Sequence, residues 1–532
     1  MNIMNHLPAL IIAIPLLGAF LTPLISKIND RLRNIFVILI AGLTCLLVFL
    51  LANQVFTEGI QTYVFGANTK ETLNAISSGT PLVRILFEVD GLSAFMAIIG
   101  CLLPLVAVIY SWAFMKDHTG LDKYYTLILL MTAGMLGMML TGDMFNFFVF
   151  LEITSISSAA LIAFYTDKGK AVAAGFKYIV ISSIGALFVL LAVALFYGQY
   201  DALNIAVIAN SMQYSFLDKV ALVLLIAALG MKSGLVPMHM WLPDAYGRAP
   251  ASVTLALIPT TLASLYGVLR VSFTLYGNNL ITGNPLKQIG QIEIHLNILL
   301  AIFLVSLALI TIVVGVLMAL KQTDLKRMIA YAAIAEIGYM LLAIGAALSV
   351  LKTEVGNMAL KGGMFHIMND ALDVGLLFLV AGAIYYATKE TSLNKLGGLA
   401  RNMKYTTVFF LIGLLAVSGM PPMNGFASKL LIYESVYQVN PILSIVAILC
   451  SILMLAVFVK VFHSIFLGPK QSSFEKVKEA PKSMLIGMAI IAGIIIFFGL
   501  FPQVIVNNIV TPAVDALSNP GTYINAILTG GV

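Results

Sequence analysis

Three residues near position 370 share one helical stripe. His366, Asp370 and Asp373 stand at i, i+4 and i+7 in "KGGMFHIMNDALDVGLLF" (361–378), a spacing that stacks side chains on a single face. A histidine followed by two acids can hold and pass a proton. Two lysines lie beside helix breakers. Lys232 is in "GMKSGLVPMHMWLPDAYGRAP" (230–250), with His239, and Lys429 is in "SGMPPMNGFASKLLIYE" (418–434). Lysine suits proton exchange because burial moves its pKa readily, unlike that of arginine. Two carboxylates complete the set: Glu152 in "FNFFVFLEITSISS" (145–158) and Glu336 in "QTDLKRMIAYAAIAEIGYM" (322–340). A carboxylate beside a buried lysine favours its charged form, and apolar surroundings favour the neutral one. The expected chemistry is a relay. Glu152 is expected to pair electrostatically with Lys232, which holds its proton while Glu152 is near and releases it when Glu152 is drawn away or protonated. His366, Asp370 and Asp373 pass the proton on, and Lys429 receives it on the far side.

The elements that must position these groups are membrane helices. Of the 532 residues, 60% are hydrophobic and 10% charged, where a soluble protein carries about a quarter charged. Runs of about 20 apolar residues recur along the chain. The sequence predicts an all-α polytopic membrane protein of about 14 transmembrane helices. The first run, Leu7–Ile25, has no basic segment before it and no small-residue cleavage site, so it reads as a retained span. With the N-terminus outside, 19 of the 30 Lys and Arg fall in cytoplasmic loops and five in the opposite loops, namely Lys70, Arg84, Lys219, Lys287 and Lys352. That bias predicts a protein of the cell membrane with both termini on the outer side. It also accounts for the net charge of +6 without nucleic acid.

Six basic residues remain within or at the ends of spans: Lys177, Lys232, Arg270, Lys361, Lys429 and Lys460. One charge at bilayer depth costs about 2.5–3.5 kcal/mol, and the whole set on the order of 20 kcal/mol if unpaired. They must face one another, face water or become neutral. Lys177, Lys361 and Lys460 are expected to support the central line. Pro237, Pro421 and Pro422 break the seventh and twelfth spans, and paired broken helices in two halves of a chain mark an ion site at a repeat interface. The expected organisation is spans one to three (1–120), a five-helix unit (121–277), a second five-helix unit (296–468) and span fourteen (481–502). Five is odd, so the two units are inverted. Cys45, Cys101 and Cys450 have no ligand spacing, and no phosphate-loop or dinucleotide motif occurs. No metal site and no cofactor are expected in this chain.

These stretches resemble the antiporter-like subunits shared by respiratory complex I, Mrp-type sodium/proton antiporters and group 4 membrane-bound hydrogenases. "TGDMFNFFVFLEITSISSAAL" (141–161) is most similar to the Mrp D and hydrogenase branch. "VDGLSAFM" (89–96), "GMKSGLVPMHMWLPDAYGRAPASV" (230–253), "FHIMNDAL" (365–372) and "GMPPMNGFASKLLI" (419–432) follow in the family's order. The resemblance implies fourteen spans, inverted repeats and a mid-membrane line in which Glu152, Lys232, His366 and Lys429 are the fifth-, seventh-, eleventh- and twelfth-span groups. Ala256, Leu262 and Val374 stand where the family often has His or Lys, and Glu336 where glutamine or histidine is common. The implied function is translocation of protons, or of Na⁺ against protons, in a multisubunit complex. Its implied partners are further antiporter-like membrane subunits and a peripheral hydrogenase-type redox module. A redox-independent Mrp-type antiporter is the first alternative, and a non-conducting membrane scaffold the second.

Overall fold

Helix caps and breakers set the architecture. The computed structural model describes residues 3–69, 71–73, 84–277, 285–289, 292–469 and 471–529; Lys70 and Lys470 of the charge count lie outside them. Among the described residues, twelve helices are long and apolar enough to cross a membrane. The chain is a multi-pass membrane protein. Spans one to six are Leu7–Ser26, Asp30–Glu58, Gly91–Phe114, Leu121–Leu140, Met144–Ile162 and Gly169–Tyr200. The eighth is Ala251–Leu269 with a π-helical extension to Leu275. Spans nine to eleven are Leu296–Lys321, Leu325–Ser349 and Glu354–Thr388, and the thirteenth and fourteenth are Pro441–Phe462 and Lys482–Leu500.

The two expected spans missing from the twelve are the broken ones. The seventh is Phe216–Lys232 followed by Leu242–Arg248, and the twelfth is Lys404–Val417 followed by Asn424–Val439. Both breaks read Ser-Gly-x-x-Pro, at 233–237 and 418–422, with a left-handed glycine and a cis bond before the last proline. Their backbones close in the same way. Leu235 N–H donates to the Gly230 carbonyl at 3.0 Å and Met420 N–H to that of Leu415 at 2.9 Å. Glycine supplies the positive φ that a side chain would strain.

The fifth and tenth spans also start alike. Asp143 and Asp324 cap them, accepting from the amides of Asn146 and Arg327. Each cap is pinned to the loop after the following helix. Met144 N–H reaches the Leu203 carbonyl and Ile205 N–H that of Gly142; Leu325 reaches Thr391 and Leu393 reaches Thr323. The eighth, tenth and eleventh spans are buried through the bilayer-crossing window, whereas the first, sixth, ninth, thirteenth and fourteenth expose apolar rows, as lipid-facing helices do. Two antiparallel strand pairs join the helices: Gln61–Val64 with Leu86–Val89, whose second strand is buried against the first, third and fourth spans, and Pro285–Ile289 with Ile292–His295. After the last span, Thr511–Ser518 and Pro520–Leu528 fold back and pack on the third span and on Ile205–Ser211. Cys45 and Cys101, far apart in sequence, meet as free thiols with sulfurs 3.2 Å apart.

Candidate ion-path site

The most charged cluster is built on the tenth, eleventh and twelfth spans. Glu336 is fully buried and has a nitrogen partner on each oxygen. Lys429 Nζ donates to Oε1 at 2.9 Å, and His366 Nε2 lies 2.9 Å from Oε2. Lys429 also donates to the Val417 carbonyl at 2.8 Å and lies over the Tyr339 ring at 4.6 Å from its centre. Val417 ends the first half of the broken twelfth span, so the break supplies a carbonyl freed from helical bonding. His366 Nδ1 reaches Ser428 Oγ at 3.2 Å. Asn424 Nδ2 donates to Asp373 at 3.0 Å, and Asn369 Nδ2 donates to the Asn424 carbonyl at 3.0 Å and Ser428 at 3.0 Å. Asp370 is buried beside Asp373 and Glu336, with Oδ1 lacking a hydrogen-bond partner. The i, i+4, i+7 stripe is real geometry, and it faces the twelfth span.

The second cluster surrounds Lys232 and differs from expectation. Lys232 forms no ion pair with Glu152 within 4.0 Å. Its Nζ donates to Ser155 Oγ at 2.6 Å and Ser182 Oγ at 2.7 Å, and the two hydroxyls are 3.0 Å apart. Glu152 acts on Lys232 only at longer range. The reason is helical phase. Ser155 and Ser158 are buried, whereas Glu152 lies on the stripe of the exposed Phe145, Val149 and Ile156, and its Oε1 has no hydrogen-bond partner. Counting from the Asp143 and Asp324 caps, Ser155 holds the place of Glu336. Counting back from the left-handed caps Asp201 and Lys389, Ser182 holds the place of Asp370. The Lys232 cluster therefore has hydroxyls where the Lys429 cluster has carboxylates. The lysines themselves are not equivalent: Lys232 ends the helix before its break, and Lys429 follows the other break.

Hydroxyls run between the clusters. A cavity of about 10 Å³ beside Lys232 is lined by Ser155, Tyr178, Thr260, Thr261 and Ser264, room for about one water. Thr261 Oγ1 meets the Tyr246 hydroxyl at 2.7 Å, and Asp370 is among the charges that Tyr246 senses. The eighth span thus carries hydroxyls on Thr260, Thr261 and Ser264, while Ala256 and Leu262, at the positions where the family often has His or Lys, are fully buried. The sequence signal was the hydroxyl runs "TSISS" and "PTTLAS", but nothing in them said which face was buried.

The remaining expected residues lie off this line. His239 is buried in the break of the seventh span, edge-on to Tyr331 with ring centres 6.3 Å apart. Lys177 is half-exposed and pairs with Asp244, which also binds Arg327 at 2.8 Å. Lys361 is half-buried and Lys460 exposed, and neither forms an ion pair among the described residues. Arg270 is locked into Asp90 by two bonds of 2.7 Å.

Residues 141–455 match the family model described as "NADH:quinone oxidoreductase/Mrp antiporter, TM", and residues 76–125 match "NADH-Ubiquinone oxidoreductase (complex I), chain 5 N-terminus". The chain is 30% identical to the N-type subunit of NADH-quinone oxidoreductase from Desulforudis audaxviator, over 95% of this chain and 98% of the relative. It is 28% identical to the D-type subunit of the Na(+)/H(+) antiporter from Bacillus subtilis, over 99% and 100%. It is 30% identical to hydrogenase-4 component B of Escherichia coli, over 78% of this chain but only 62% of that longer relative. Among solved structures, a chain of an archaeal membrane-bound sulfane sulfur reductase superposes with a TM-score of 0.83 at 28% identity, over 98% of this chain and 100% of that one.

Proposed function

The chain belongs to the NADH:quinone oxidoreductase/Mrp antiporter transmembrane family, and we propose that it is the proton-translocating, antiporter-like subunit of a membrane complex driven by a redox module. The observation that carries this reading is the polar line at membrane depth: Lys232 on Ser155 and Ser182, the Thr261–Tyr246 pair, then Asp370, and Glu336 between His366 and Lys429. Buried ionisable groups in spans mark ion paths. The units 121–277 and 296–468 are read as inverted repeats, on the strength of their matching caps and breaks.

In this mechanism Lys232 is the proton-exchanging group of the first unit. Two hydroxyls bind its ammonium without neutralising it, so its proton is held only by neutral dipoles and by the more distant Glu152. Withdrawing or protonating Glu152 lowers the field that keeps Lys232 charged, and the proton leaves along the hydroxyl row. In the second unit Glu336 holds Lys429 and His366, and Asp370 and Asp373 form the near side of the relay. Electron transfer takes place on another chain. The partners are further membrane subunits and a redox module of hydrogenase type. The loops rich in Lys and Arg face the cytoplasm, and both termini lie outside.

A redox-independent Mrp-type antiporter is the second reading, favoured by the likeness to the Bacillus subtilis antiporter chain over the whole length of both. Copurification separates the two, since iron–sulfur or nickel-bearing chains belong only to the first. The transport test follows internal pH and ²²Na⁺ in sealed vesicles carrying the intact complex, wild type and Glu152→Gln. The expected result is loss of pH change in the variant with assembly intact. Unchanged movement of both ions would remove Glu152 from the path.

A further inference from the structure

A cavity of about 130 Å³ opens where the loops after the fifth, seventh and eleventh spans meet the start of the tenth. Its wall includes Lys168, Arg248, Lys326, Tyr165 and Tyr385. Asp324, Arg248 and Lys168 are the charges that act on Lys326, the acid attracting and the two cations repelling it. Lys168 donates to the Tyr385 hydroxyl at 2.9 Å and lies 4.4 Å from the centre of the Tyr165 ring. Lys389 reaches the same Tyr385 ring at 5.9 Å. Lys326 is buried and donates to the Ala249 carbonyl.

The acids nearby do not balance these cations. Asp324 already accepts from the Arg327 amide at 3.1 Å and Thr391 Oγ1 at 2.8 Å, and Arg248 stands 3.9 Å away. Glu390 is paired with Lys395 at 3.2 Å, and Asp244 with Lys177 and Arg327. Asp167 lies on the Tyr165 side. Pro250 and Ala251, the start of the eighth span, also line the cavity, and no side chain caps that helix. Its first amides and the positive end of its dipole add to the positive field. Such a lining repels protons and Na⁺, so it does not serve as access for the transported cation.

We propose that this cavity is a binding site for a phosphate group, supplied either by an anionic phospholipid headgroup or by free phosphate. Lysine and arginine clusters with tyrosine hydroxyls and open helix amides are the donor set that phosphate oxygens require, and basic pockets between membrane helices on the lysine-rich side take lipid headgroups. The site ties the two five-helix units together at that face, since Lys168 and Arg248 come from the first and Lys326 and Tyr385 from the second. The inference does not depend on the transport reading.

The test compares the intact complex with Lys168→Gln/Arg248→Gln, and with Lys168→Glu alone as a milder change at an exposed side chain. Phospholipid retained through detergent washing is identified by mass spectrometry and counted by phosphorus. The washed complexes are then titrated with inorganic phosphate and followed by ³¹P line broadening. Anionic lipid retained by wild type and lost from both variants identifies the headgroup. No retained lipid, but phosphate binding that is roughly tenfold or more weaker in the variants, identifies free phosphate. Equal retention and equal broadening in all three, with assembly intact, overturn the proposal.

Discussion

Glu336 holds two partners at once, the Lys429 ammonium on one oxygen and the His366 ring nitrogen on the other, both at 2.9 Å. Removing one member of a buried pair leaves an uncompensated charge, which costs about 3–5 kcal/mol. Glu336→Gln and Lys429→Met should each destabilise the chain by about that much. The double variant should lose clearly less than their sum, because each leaves the other's partner stranded. Unfolding of the bilayer-embedded complex measures this, and strictly additive losses would mean that the pair does not interact. The Lys232 cluster has a milder version of the same contact. Ser155→Ala removes one of two hydrogen bonds to the Lys232 ammonium, a contact worth about 1.5–3 kcal/mol. Proton movement should slow while assembly stays normal, and Ser155→Thr should restore it. The serine was visible in the sequence, but its role was not: one helical turn separates it from Glu152, and only packing showed that the serine faces inward.

At the scale of elements, the two breaks do the positioning. The half-helices of the twelfth span approach so closely that a Cβ on Gly425 would overlap the Ala416 carbonyl oxygen. Gly425→Ala must therefore part the half-helices and move Lys429 from the Val417 carbonyl. It should cost about 1–3 kcal/mol or more, whereas Gly198→Ala, with open space around it, should be harmless. Comparing the thermal midpoints of the two variants checks this. Between the Lys232 and Lys429 clusters, the Tyr246 hydroxyl joins Thr261 to the neighbourhood of Asp370. Tyr246→Phe keeps the ring packed on Phe378 and removes only the oxygen. Transport should fall several-fold with little change in stability, and an unchanged rate would place the path elsewhere.

At the scale of the molecule, the C-terminal segment closes the end of the bundle near the third and eighth spans. Tyr523 lies over Arg270, with the guanidinium 4.5 Å from the ring centre, and faces Glu88. Glu88 is fully buried, and no hydrogen bond within 3.5 Å satisfies either of its carboxyl oxygens. Burial, reinforced by the neighbouring Asp90 charge, pushes this carboxyl well above its ordinary 4.5, against the pull of Arg270. Above that ordinary value the folded chain keeps a proton that the unfolded chain has released. Stability therefore falls as pH rises from about 4.5 through the folded value. Glu88→Gln mimics the protonated acid and should remove that slope, leaving the variant more stable than wild type at neutral pH. Thermal midpoints across the range check it; parallel curves would assign the slope to another group.

Read alone, the sequence establishes the membrane class, the positions of the spans, the two breaks and the row His366, Asp370, Asp373. Each follows from local properties: the length of an apolar run, the missing N–H of proline, and the 3.6-residue turn. Partners are not local. The sequence points to Glu152 as the charge that acts on Lys232, and it does so, but Ser155 and Ser182 hold the direct bonds. Which face of Met144–Ile162 turns inward is set by the fourth and sixth spans packed against it, and a helix that is apolar nearly all round carries no phase in its sequence. The same holds for the eighth span, where Thr261 and Tyr246 carry the polar line past the apolar Ala256 and Leu262. Tertiary packing chose among equivalent faces, and with them which lysine meets a carboxylate and which meets only hydroxyls.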